Sequence, residues 1–200
     1  MAPILWLAVA VPGVCALVVR LAGRRSGVVS AVSAAAAAIP AWILLLAAAG
    51  GERARSGVVW LPGGGGLEAG LRLDALSAVM SALVATVGLV VLVYSVGYFA
   101  ADPRAASARA GLLAFLAVMQ GLVLADGFLA LLVFWELVGA LSARLIAYSR
   151  DDAAAPLGAV RAFLTTRAAD LGFYLALMAL YAGGEGLGFA STRPDGALGA

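Results

Sequence analysis

The stretch that decides the fold runs from Gly127 to Tyr148 and reads GFLALLVFWELVGALSARLIAY. At a rise of about 1.5 Å per residue, a helix of this length crosses a hydrocarbon core of about 30 Å. One carboxylate, Glu136, lies near its middle between large apolar side chains. A charge at that depth costs about 2.5–3.5 kcal/mol, so an ionisable residue there is a functional candidate by default. The pattern favours a functional Glu136; the alternative is a carboxylic acid that only fixes helix packing.

The composition of the 200 residues indicates an integral membrane protein. Hydrophobic residues make up 64% and charged residues 12%, whereas soluble domains carry about 25% charged residues. The net charge of +2, without a basic patch interleaved with aromatic residues, gives no indication of nucleic-acid binding. A single cysteine, Cys15, excludes an internal disulfide and a cysteine-based metal site. Because the chain has no His, imidazole is excluded as proton carrier, base and metal ligand, and we predict no metal site.

Five more apolar segments predict further spanning helices. The first resembles a signal peptide in length, but no basic residue precedes it and Arg20, Arg24 and Arg25 follow it, which favours a span. The sequence therefore predicts an all-α, polytopic membrane helical bundle of about six transmembrane helices, with residues 1–200 forming one membrane region. The predicted spans are Ile4–Val19, Val28–Ala49, Ala75–Ala101, Ala110–Ala125, Gly127–Tyr148 and Ala162–Ala182.

The longest polar interruption, residues 50–72, lies between the second and third spans. Val58–Leu61 and Leu67–Leu73 flank a Pro-Gly stretch, which is typical of two short strands about a turn. A plain flexible loop is the equally weighted alternative. Arginines are denser in the loops after the first, third and fifth spans, so the positive-inside rule places those loops in the cytoplasm. The prediction is a multi-pass inner (plasma) membrane protein with residues 50–72 and both termini of this segment external.

Two more ionisable residues lie inside a predicted span. Arg167 and Asp170 are three residues apart, so they share a helix face and can neutralise each other; a packing salt bridge is the alternative to a functional pair. Arg144 lies about 12 Å along the helix from Glu136, which favours snorkelling to the interface over pairing. Hydrocarbon favours a protonated carboxylate and a nearby cation favours the ionised one, so a cation that moves would load and unload a proton on Glu136. Arginine does not release its proton, and can therefore act only by moving.

Several motifs resemble those of the proton-conducting membrane subunits of respiratory complex I. FWELVG at Phe134–Gly139 is similar to the signature helix of that family, and RAFLTTRAADLGF at Arg161–Phe173 is similar to its next helix. LRLDALSAVM and VYSVGYFAADPR are similar to its third helix and the turn after it. The resemblance covers about Leu71–Leu180, is strongest to the subunit L (mitochondrial subunit 5) type, and extends to the large subunits of Mrp-type cation/proton antiporters.

The resemblance implies an N-terminal fragment of a longer antiporter-like subunit of an NADH-quinone oxidoreductase, which couples quinone reduction in partner subunits to proton transport. It implies an essential proton-translocating role for Glu136 and a coupling or packing role for Arg167 and Asp170. It further implies that no cofactor is bound by this chain, and that its partners are other membrane subunits and the lipid bilayer. The sequence departs from the family at Leu92, where a His is frequent, and at Arg144; the pumping Lys of the family would lie beyond Ala200.

Other functions remain open from the sequence. Within the same family the chain could belong to an Mrp-type antiporter, a membrane hydrogenase or an inorganic-carbon uptake system. Outside it, the chain could be a non-conducting membrane scaffold that retains Glu136 for packing. No flavin, iron–sulfur or quinone site is visible in the sequence, so any redox reaction belongs to partner subunits.

Overall fold

The computed structural model describes residues 1–61, 67–148, 154–183 and 187–189. Within these residues, six helices are long and apolar enough to cross a membrane. The predicted all-α, polytopic architecture is confirmed. In chain order the helices are α1 (Ala2–Leu21), α2 (Ser26–Ala49), α3 (Ala75–Tyr98), α4 (Ala105–Val123), α5 (Phe128–Ile146) and α6 (Ala154–Ala182).

The first four helices form the packed part of the bundle. α2 packs against α3 and α1 packs against α4, and small residues allow the close approach of α2 and α3. Ala38 and Ala41 of α2 are buried against Ala85 of α3, because small side chains let two membrane helices approach closely. α5 packs on α4, and α6 packs on α5. In the most apolar window of each helix, half of α4 is buried but only 6% of α5 and 11% of α6. The α5–α6 pair is therefore the edge of the bundle.

A β-hairpin joins α2 to α3. Strands β1 (Ala54–Leu61) and β2 (Leu67–Leu73) pair antiparallel, so the hairpin rather than the plain loop is present. The outer edge of β2 pairs in turn with the link between α4 and α5: the Arg72 amide donates to Leu124 O at 2.7 Å, and the Asp126 amide donates to Gly70 O at 2.8 Å. The Asp126 carboxylate also forms an ion pair with Arg55 of β1. Backbone and side-chain bonds thus hold the hairpin on the start of α5.

The loops separate into two ends of the bundle. The hairpin end contains the hairpin and the α4–α5 link, and Trp6 near the N-terminus reaches it by donating to Ser56 Oγ at 2.9 Å. At the opposite end, which we call the arginine end, α1, α3 and α5 finish and α4 begins. There Tyr148 donates its hydroxyl to Asp102 Oδ2 at 2.7 Å, with the Arg104 guanidinium over its ring. Successive helices thus run in opposite directions between the two ends, as consecutive membrane spans require. Which end faces the cytoplasm stays a prediction.

Two helices begin five or more residues earlier than the sequence analysis predicts. α6 begins at Ala154 rather than Ala162, because Pro156 lies in its first turn, where the missing N–H has no intrahelical acceptor. α4 begins at Ala105 rather than Ala110, which places Arg109 inside a helix instead of in a loop. The guanidinium of Arg109 is buried and donates to Ser26 Oγ at 2.9 Å and to Ser95 O at 3.1 Å. The charge is therefore solvated by a neighbouring helix start and by the last carbonyls of α3.

Candidate functional site

The contact between α5 and α6 brings the three predicted site residues together. Arg167 Nη1 forms an ion pair with the Glu136 carboxylate and lies 3.6 Å from Asp170 Oδ2. One guanidinium therefore lies between two carboxylates, an arrangement we call the triad. The sequence analysis anticipated the contact between Arg167 and Asp170, which follows from their spacing on one helix. It did not anticipate the pair between Arg167 and Glu136, because that pair depends on the register between two helices.

Two aromatic side chains donate hydrogen bonds to the carboxylates of the triad. The Tyr174 hydroxyl donates to Glu136 Oε1, and Trp135 Nε1 donates to Asp170 Oδ1 at 2.8 Å. Neither was singled out from the sequence. A signal for Tyr174 was present, because it lies four residues after Asp170 and so shares its helix face. These two bonds cross the α5–α6 interface in opposite directions and fix both carboxylates.

A glycine makes room for the guanidinium. Gly139 lies one turn after Glu136 on α5, and a Cβ added to it would lie only 2.1 Å from Arg167 Nη2. On its other side the guanidinium carbon lies 4.9 Å from the centre of the Phe163 ring. Nη2 also donates to the backbone carbonyl of Glu136 at 3.4 Å. Arg167 is therefore held by contacts with both helices as well as by charge.

The triad is buried unevenly. The side chain of Asp170 is 8% exposed, that of Arg167 19% and that of Glu136 32%. Glu136 is therefore half-buried, less than the sequence analysis expected, because α5 and α6 form the edge of the bundle. Among the described residues, the buried atoms Arg167 Nε and Asp170 Oδ2 find no hydrogen-bond partner, although buried polar groups normally have one. The triad retains hydrogen-bonding capacity that this part of the chain does not fill.

The charge of the triad limits what it can do chemically. With all groups ionised, two carboxylates and one guanidinium carry a net charge of about −1, since arginine stays protonated. Away from water an uncompensated charge is costly, so this charge marks the triad as a candidate for a functional role. Among the described residues, no group of three or more His, Cys, Asp or Glu is placed to bind a metal ion.

The two positions at which the sequence departs from the family lie outside the triad. Leu92 is fully buried in an apolar cluster that includes Leu113 and Leu116, so an apolar side chain takes the place of the His that is frequent in the family. Arg144 is exposed at the arginine end, where its Nη2 lies 3.5 Å from Ser107 Oγ. This position fits the predicted snorkelling of Arg144 and keeps it away from Glu136.

Comparison with known proteins agrees with the sequence motifs. Residues 60–107 match the family model described as NADH-ubiquinone oxidoreductase (complex I), chain 5 N-terminus. The chain is 41% identical over 115 residues to NAD(P)H-quinone oxidoreductase chain 5 of Picosynechococcus, a match that covers 58% of this chain and 17% of the relative. It is 37% identical over 177 residues to NADH-quinone oxidoreductase subunit L of Mycobacterium tuberculosis, covering 84% of this chain and 28% of the relative. The chain thus spans less than a third of these relatives.

A solved structure shows the same fold. The Mrp complex from Dietzia sp. DQ12-45-1b contains a chain that superposes with a TM-score of 0.73 and 30% sequence identity, covering 90% of this chain and 19% of that one. The resemblance inferred from the motifs is confirmed by sequence and by fold. In sequence and in fold the chain is therefore complex I subunit 5/L-like, and it matches the N-terminal portion of these antiporter-type membrane proteins.

Proposed function

We propose that the chain is the N-terminal part of a proton-translocating membrane subunit of a complex I-like NADH-quinone oxidoreductase, in which Glu136 carries the proton. The observation that carries the proposal is the position of Arg167 between Glu136 and Asp170. The names of the relatives support the assignment to this complex. They also support other membrane subunits as partners and, for the bacterial relatives, the inner membrane as the location. Quinone reduction takes place in partner subunits, and this chain binds no cofactor.

The triad supplies the switch that a proton carrier needs. While Arg167 pairs with Glu136, the carboxylate is favoured in its ionised form. If the guanidinium moves to Asp170, whose Oδ2 is 3.6 Å away, Glu136 loses its cation and binds a proton. Return of Arg167 releases that proton. The cation acts by moving between two anions and never gives up its own proton. An arginine can therefore switch Glu136 although it does not release a proton itself.

Glu136→Gln tests this proposal because it keeps the size of the side chain and removes the exchangeable proton. In the assembled complex, in inverted membrane vesicles, we expect wild-type amounts of protein but NADH-driven acidification near background. Glu136→Asp is expected to be intermediate. Glu52→Gln, an equivalent change at an exposed position of the hairpin end, is the matched control. Wild-type acidification by the Glu136→Gln complex at equal assembly would refute the role of Glu136 and favour a scaffold.

An Mrp-type cation/proton antiporter subunit is the second candidate, favoured by the structural match over 90% of the chain. The same vesicles distinguish the two functions. An antiporter dissipates an existing pH gradient when Na⁺ is added, without NADH. A complex I subunit supports acidification only while NADH is oxidised.

A further inference from the structure

We propose that a cavity at the arginine end binds the phosphate group of an anionic phospholipid. The cavity measures about 420 Å³ and lies between α1, α4 and α5. Its wall includes three arginines, one from the end of α1, one from the start of α4 and one from the end of α5. These are Arg20, Arg104 and Arg144, joined by the hydroxyl-bearing side chains of Ser107 and Tyr148.

The side chains around the cavity are arranged to receive an anion. Arg144 Nη2 lies 3.5 Å from Ser107 Oγ, so a donor from α5 and a hydroxyl from α4 face the same space. None of the described residues that line the cavity is acidic. The nearby Asp102 carboxylate accepts a hydrogen bond from the Tyr148 hydroxyl at 2.7 Å and lies 3.9 Å from Arg104 Nε. The described wall of the cavity thus presents basic and hydroxyl groups and no carboxylate.

The depth of the cavity favours a lipid over a free anion. It lies where three spanning helices end, which is the level of the phospholipid headgroups. Arginine suits this ligand because its planar guanidinium presents paired donors to phosphate oxygens. Apolar side chains next to these arginines in the sequence are exposed: Leu21, which follows Arg20, is 86% exposed, and Ile146, two residues after Arg144, is 46% exposed. A basic wall bordered by exposed apolar side chains matches the headgroup and the first carbons of an acyl chain.

Native mass spectrometry of the full chain in detergent tests the proposal. The protein is titrated with dioleoylphosphatidylglycerol, with dioleoylphosphatidylcholine and, separately, with inorganic phosphate. We expect phosphatidylglycerol to bind in preference to phosphatidylcholine. Arg144→Gln should weaken phosphatidylglycerol binding about fivefold, the contribution of one basic residue at an anionic membrane surface. Arg53→Gln is the matched control, because it removes an exposed arginine at the opposite end of the bundle.

Arg144→Lys keeps the charge and should bind more tightly than Arg144→Gln, which separates a lost charge from a disturbed fold. Unchanged phosphatidylglycerol binding by Arg144→Gln would overturn the proposal, as would an equal loss with Arg53→Gln. Displacement of phosphatidylglycerol by inorganic phosphate at equal concentration would assign the cavity to a free anion and overturn the lipid assignment. None of these outcomes depends on proton transport, so they stand apart from the test of Glu136.

Discussion

Gly139→Ala displaces the guanidinium of the triad without changing any charge. The new Cβ would lie 2.1 Å from Arg167 Nη2, whereas ordinary contact begins near 3.4 Å, so the end of the side chain must retreat by about 1.3 Å. That retreat breaks the bond from Nη2 to the Glu136 carbonyl, which is already 3.4 Å long, and draws Nη1 away from the Glu136 carboxylate. The substitution therefore tests whether the position of Arg167, rather than its presence, matters.

The cost of this change to folding is small. Losing one hydrogen bond from a charged donor costs about 1.5–3 kcal/mol, and replacing a helical Gly by Ala returns about 0.5–1 kcal/mol. The net loss of about 1–2 kcal/mol in the free energy of unfolding should leave the protein folded, because the atom that must move is the end of a flexible side chain. In the mechanism that we propose, proton transport depends directly on the lost contact. We therefore expect folded protein near wild-type amounts and NADH-driven acidification of vesicles reduced at least about tenfold, the equivalent of about 1.4 kcal/mol.

Gly172→Ala is the control for Gly139→Ala. It makes the same exchange on α6 at a position where the added Cβ meets nothing within 4 Å. Its transport should equal that of the wild type, and its thermal stability in detergent should be equal or slightly higher. If Gly139→Ala transports protons at the wild-type rate per assembled complex, the contact between Arg167 and Glu136 is not part of the mechanism.

Two further predictions concern charge and pH. Arg167→Gln leaves two carboxylates without their cation and should lower the free energy of unfolding by about 3 kcal/mol. Asp170→Asn leaves one neutral pair and should lower it by below about 1 kcal/mol. Equal losses of folded protein in the two variants would contradict this count of charges. Burial and the hydrogen bond to Asp102 raise the pKa of Tyr148 to about 12, so the stability it contributes is present below about pH 10 and is lost as the pH rises through 12. In an alkaline absorbance titration, one of the five tyrosines should ionise near pH 12, and Tyr148→Phe should remove that step; an unchanged titration would refute the assignment.

Hydropathy alone predicted the number and order of the helices, because each apolar segment is long enough to require a span. It also marked Glu136, since a carboxylate inside an apolar run is exceptional. The residues at which the helices begin were harder to predict from the sequence. The beginning of α6 was missed because charged and proline residues near a helix start look like a loop, although Pro156 is compatible with a first turn.

Contacts between helices could not be predicted from one sequence. The spacing of Arg167 and Asp170 is local and was predicted, but the ion pair between Arg167 and Glu136 depends on how α6 rotates and slides against α5. The same limit applies to Arg109, whose burial depends on Ser26 and on the end of α3 meeting at one point. In each case the missing information is the position of one helix relative to another.

The hairpin on the start of α5 has a consequence for the depth of Glu136. Backbone groups on strand edges cannot remain unpaired in hydrocarbon, so a two-stranded hairpin carrying Arg55 and Arg72 belongs at the boundary with water. Because the hairpin is bonded to Asp126, that residue lies at the boundary as well. Glu136 lies ten positions after Asp126, about 15 Å at the usual helical rise, which is half of a hydrocarbon core of about 30 Å. The hairpin thus sets the depth of α5 in the membrane and keeps the Glu136 carboxylate about equally far from both aqueous phases.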